Sequence, residues 1–137
     1  MTAVVATRNR LLATSAVTAI VATRIWSPIL PQAPVLPAIQ LQLIDEAPTK
    51  HLRGPDAMRP ARVQADVWVR EEGDYEGTAH AVMLAVENAL IFGAFSISGV
   101  VVKEVTPAGR EPVANEMGAP KFQFGIRQDF IVRYRIA

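Results

Sequence analysis

Two stretches of this chain alternate apolar and polar residues with a period of two, and both carry the same unusual outer face. In residues 62–70, RVQADVWVR, Val63, Ala65, Val67 and Val69 alternate with Arg62, Gln64, Asp66, Trp68 and Arg70. Near the C-terminus IRQDFIVRYRI sets Phe130, Val132, Tyr134 and Ile136 on one side and Asp129, Ile131, Arg133 and Arg135 on the other. That period is the mark of a strand with one face on a core. The opposite face holds arginines, aspartates and a tryptophan, an odd set for plain solvent. If the two strands lie near each other in an antiparallel sheet, Arg62, Asp66, Trp68, Arg70, Asp129, Arg133 and Arg135 share one surface.

The remaining segments supply the other elements. Val4, Val5, Arg8, Leu11 and Leu12 follow the three-and-four spacing of a helical face, and Ser15 is placed to cap a second short turn, AVTAIVATR. In IWSPILPQAPVLP four prolines forbid helix and set an extended connector. Ile39, Leu41 and Leu43 then alternate with glutamines as a first core strand. The clearest helix is EEGDYEGTAHAVMLAVENALIFG, with Asp74 as N-cap, Glu76 in the first turn and Gly93 at its end. Tyr75, Ala79, Val82, Met83, Val86 and Leu90 form its apolar stripe, away from Glu76, His80, Glu87 and Asn88. SISGVVVKEV is a valine-rich strand ending at Thr106 and Pro107.

Two proline-bearing segments, 46–60 and 106–123, read as long loops. The expected architecture is a single α+β domain over residues 1–137. It is an antiparallel sheet of about four strands with the long helix and the N-terminal helix packed on one face.

Composition narrows the function. With half its 137 residues apolar and a fifth charged, the chain is an ordinary globular one. A net charge of +1 argues against a phosphate-driven nucleic-acid binder. Eleven of the 14 basic residues are arginine, which fits protein contacts and fits a GC-rich coding sequence equally well. No cysteine is present, which excludes disulfides, thiolate metal sites and cysteine nucleophiles. The apolar run LLATSAVTAIVA behind Arg8 and Arg10 has the length of a signal peptide but is too polar, and it is too short to span a bilayer.

The chain shows no recognisable catalytic or metal-binding motif. His51 and His80 have no partner at metal-ligand spacing and read as surface histidines. Asp45, Glu46, Glu71, Glu72, Asp74 and Glu76 sit at strand and helix ends, where they suit solvated termini and a helix dipole. No phosphate-binding glycine pattern and no nucleophile elbow occur. A subunit of a larger assembly, a small-ligand module and an enzyme with an unmarked site remain, and tryptophan with arginine on a sheet face favours the first.

The order of elements resembles a known family. The TAIVATRIWSPILPQAPVLPAIQLQLI run, most specifically Val17 to Ile39, the RVQADVWV strand before a long helix, and the RQDFIVRYR ending are similar to the tail-completion or tail-terminator proteins of long-tailed phages and gene transfer particles. The resemblance implies a small α+β structural protein without catalysis or cofactor. It implies a homo-hexameric ring at the head-proximal end of the tail tube, which ends polymerisation and offers a docking surface to the head connector.

On that reading the partners are the tail tube protein and a connector or neck protein, and the location is the virion. DNA passes through the lumen without sequence-specific binding, past neutral or acidic residues, and no membrane is involved. The face with Arg62, Asp66, Trp68, Arg70, Asp129, Arg133 and Arg135 then meets a neighbouring subunit or the tube. The two loops, with Lys50, His51, Arg53 and Arg59 in one and Arg110, Glu111, Glu116 and Lys121 in the other, make contacts along the tube axis. A head-side neck component and a monomeric ligand-binding domain are the alternatives.

Overall fold

The computed structural model describes residues 2–31, 35–46, 58–70, 73–91, 93–113 and 123–136. Among them the helices are α1 (Thr2–Leu12), α2 (Ser15–Val21) and α3 (Tyr75–Ile91). The strands are β1 (Ile25–Trp26), β2 (Ala38–Glu46), β3 (Arg59–Arg70), β4 (Phe95–Ile97), β5 (Val100–Val113) and β6 (Gln123–Ile136). They form one sheet ordered β1-β2-β3-β6-β5-β4, antiparallel throughout except for the parallel β1–β2 pair.

The alternation becomes register at the centre of this sheet. β3 and β6 pair over their lengths, with Val63 opposite Phe130, Val67 opposite Ile126 and Ala61 opposite Val132. These side chains point to the helices. Together with Val82, Met83, Val86 and Leu90 of α3, and Val4 and Leu11 of α1, they form the buried core. Each fully buried Val, Leu or Met there contributes about 1.5–3 kcal/mol of transfer free energy.

The mixed α+β class holds, but the sheet has six strands where about four were expected. The two additions, β1 and β4, are two and three residues long, too short for periodicity to register. The described part of the segment 106–123 is also strand: β5 runs on to Val113 and β6 starts at Gln123. Its prolines mislead a sequence reading. β4 covers only Val100–Val102 of β5, so Pro107 and Pro112 lie where β5 has no second neighbour among the described residues. An edge strand tolerates a residue without an N–H. A register shift between Pro107 and Arg110 takes up the irregularity, with Gly109 at a φ of 123°.

The helices also differ in detail from expectation. α1 buries Ala3, Val4, Ala6, Thr7 and Leu11, while Val5 is exposed and Leu12 only half-buried. Small residues let α1 approach closely, and the Thr7 hydroxyl is satisfied inside by donating to Ala3 O at 2.8 Å. Thr14, not Ser15, is the N-cap of α2, and its hydroxyl donates backwards to Arg10 O at 2.8 Å instead of capping. α3 follows its sequence signals. Asp74 Oδ1 accepts from Gly77 N at 3.2 Å, and Gly93 at a φ of 88° follows the helix.

Arginine-to-carbonyl bonds hold the N-terminal segment in place. Arg8 Nε donates to Ile25 O at 2.8 Å, Arg10 Nε to Ala89 O at 3.0 Å, and Arg24 Nε to Pro37 O at 3.0 Å. Arg10 also lies over the Phe95 ring at 4.7 Å, a cation–π contact that joins α1 to β4.

Candidate functional site

The outer face of β3 and β6, away from the helices, is the surface singled out by the sequence. Its charges pair across strands. Arg127, opposite Asp66, grips that carboxylate with Nε to Oδ1 at 3.0 Å and its terminal nitrogen to Oδ2 at 3.2 Å. Such a two-point fork is the strong form of the arginine–carboxylate bond. Arg62 Nε meets Asp129 Oδ2 at 2.7 Å on the diagonal. Arg133 meets Glu104 of β5 at 3.0 Å with both side chains more than half exposed, so this pair adds little stability. Arg70 is exposed at the end of β3 and Arg135 is half-buried in β6.

Trp68 and Asp66 are buried on this face, at 7% and 2% exposure. The indole lies over Gly125, where an added Cβ would stand 2.9 Å from Cε3 and Cζ3 of the ring. Gly125 therefore provides the bed for the tryptophan. The Trp68 Nε1 is buried without a hydrogen-bond partner. At the β2 side the proline connector crosses over, with Pro28 O accepting from Gln40 Nε2 at 2.8 Å.

The loop residues divide. Lys50, His51, Arg53, Glu116 and Lys121 lie outside the described residues. Arg59, Arg110 and Glu111 were expected in loops and stand in strands β3 and β5. Arg110 turns toward the helices. Its Nε donates at 2.6 Å to Gln128, which is 2% exposed, and it pairs with Glu87 of α3. Both groups are far from it in sequence, so no local pattern marks this latch. Tyr134 donates its hydroxyl to Glu46. Burial first, and then the Glu46 carboxylate, raise the phenol above its usual 10.0, with Arg59 acting in the opposite direction.

Another surface was not singled out by sequence. Residues 1–44 hold three of the 14 basic residues and none of the 13 acidic ones. Those three, Arg8, Arg10 and Arg24, spend their Nε donors on carbonyls inside the chain. The three arginines are half-buried, and the exposed residues of the segment are uncharged, Val5, Ala16, Ala19, Trp26, Ile29 and Val35 among them. The signal was the missing acids, visible only when charge is counted by segment.

No group of metal-ligating side chains gathers among the described residues, and His80 is exposed on α3. A shallow depression of about 260 Å³ beside the β5 bulge is lined by Arg62, Arg110, Arg127, Glu111 and Asp129, three cations against two carboxylates. No helix among the described residues is long and apolar enough to cross a membrane.

The class of this protein comes from comparison with known proteins. The model of the family described as tail completion protein gp17 matches residues 5–114. The chain belongs to that family, and so to the structural proteins of phage-type tails. No curated protein matches it. Among solved structures, a chain in the virion of a native gene transfer agent particle has the same fold. Its TM-score is 0.68 at 18% identity, covering 96% of this chain and 92% of that one.

Proposed function

We propose that this chain forms a homo-hexameric ring on the head-proximal end of the tail tube, ends tube polymerisation there and presents the surface on which the head connector docks. The observation that carries this reading is the family match over residues 5–114. Its support in the geometry is a rigid sheet with two different edges, the requirement for a contact that repeats around a ring. The tail tube protein and a connector or neck protein are its axial partners. DNA crosses the lumen without sequence-specific contacts.

In this reading the exposed or half-exposed members of the outer face, Arg62, Arg70, Arg133 and Arg135, face a neighbouring subunit or the tube. Trp68, Asp66 and Asp129 hold the strands beneath them. Particles made without this protein test the whole proposal. Electron microscopy should show tails of uncontrolled length and heads left unjoined, and adding the purified protein should restore joining. Headed tails of normal length in its absence would overturn it.

A further inference from the structure

β5 is open to solvent along one edge. β4 pairs with Val100–Val102 alone, and past it Lys103, Glu104, Thr106, Pro107, Glu111 and Pro112 are exposed, with no second neighbour for β5 among the described residues. A strand of that kind presents a row of unpaired backbone groups and is a template for a strand of another chain. The sequence beside it raises the hazard, because Val100, Val101 and Val102 are a β-branched run that leads straight into the open stretch.

The open stretch is interrupted where a further strand would have to bond. Pro107 stands opposite Phe130 and Pro112 opposite Ile126. Those partners are four residues apart in β6, so both prolines fall in the same phase of the alternating ladder. A proline inside an edge strand turns its nitrogen to the open side, so that side lacks a donor at both positions. Between the two gaps lies the register shift from Pro107 to Arg110, where Gly109 has a φ of 123°. A second shift leaves the exposed Lys103 out of the register just where the cover of β4 ends. Proline, bulge and lysine each hinder edge-to-edge pairing, and here all three lie between Lys103 and Pro112.

We propose that residues 103–112 form a guarded edge, which denies backbone pairing to a second copy of this chain, and that Pro107 and Pro112 are the residues that block it. Both are exposed, so they act on what can approach the strand and not on the core beneath it. The proposal is independent of the ring reading. It names a contact that copies are denied, and any ring they form meets at this edge through side chains.

The test restores the missing donors. The full chain carrying Pro107→Thr with Pro112→Thr gains two N–H groups without an added exposed apolar side chain. It would be compared with wild type, with each single variant, and with Thr106→Val, which adds apolar surface and no donor. Sedimentation velocity over a concentration series reads association, circular dichroism reads the fold, and amide hydrogen exchange reads the new N–H groups. The double variant should form species larger than any the wild type forms at the same concentrations. In those species the amides at 107 and 112 should exchange about tenfold more slowly or slower still, while Thr106→Val behaves as wild type. A folded double variant that assembles no further than wild type overturns the proposal. Assembly with both amides still exchanging freely overturns it as well, because the contact then lies elsewhere. Equal association by Thr106→Val assigns the effect to apolar surface, and the proposal fails. If the double variant does not fold, each folded single variant carries the same comparison, and loss of fold in both makes the prolines structural and overturns the blocking role.

Discussion

The outer sheet face and the N-terminal flank are opposite solutions to the same problem of surface. On the sheet face charge is abundant and already used: Arg127 holds Asp66, Arg62 holds Asp129, and Trp68 lies on Gly125. On the flank charge is scarce and turned inward, leaving Trp26, Ile29 and Val35 outside. The sheet face has the composition of an interface yet spends much of its chemistry within the chain. The flank has a bland composition yet leaves apolar area uncovered. Residue type alone therefore does not identify a contact surface, since a tryptophan can be bedded inside its own sheet while an isoleucine stands free.

The largest effect that separates the two surfaces is expected at Trp68. Trp68→Ala should destabilise the isolated chain by about 3–5 kcal/mol, as truncation of a large buried aromatic does, read from urea unfolding. Asp66→Ala comes next. It leaves the Arg127 guanidinium without its fork, at a cost of about 3 kcal/mol, measured by the same unfolding midpoints. An unchanged midpoint in either variant would mean that the sheet face is not self-supporting.

Smaller effects sharpen the contrast. Tyr134 has a raised pKa in the folded chain, so the stability linked to its neutral form is complete below its unfolded value of 10.0 and is lost as pH rises through the folded value. Tyr134→Phe should cost about 1 kcal/mol at neutral pH and flatten the alkaline decline, seen by comparing unfolding curves on either side of that range. The smallest stability change is expected on the flank. Ile29→Ser should shift folding by no more than about 0.5 kcal/mol. A larger loss in the same urea unfolding would mean that the flank is packed on the fold and not open.

Much of this was legible in the chain itself. Period-two alternation marked β3 and β6 and their inward residues, apart from Ile136, which is 55% exposed at the strand end, because a half-buried strand must place every other side chain on the core. Asp74, the Val82 to Leu90 stripe and Gly93 marked α3, since caps and helical faces are local. The tail-completion family was recognisable from the order of segments, and the match over residues 5–114 agrees.

Other features depended on tertiary structure. Whether Pro107 and Pro112 lie in a loop or a strand depends on whether β5 has a neighbour on that side, which no local pattern records. The burial of Trp68 depends on Gly125, distant along the chain and opposite it in the register. Arg110 reaches Gln128 and Glu87 only because sheet and helix are already stacked. The sequence by itself determined the central strands, the long helix and a first third without acidic residues. Tertiary structure alone decided which polar groups face each other, because pairing is set by strand register and layer packing, and these join residues far apart in the chain.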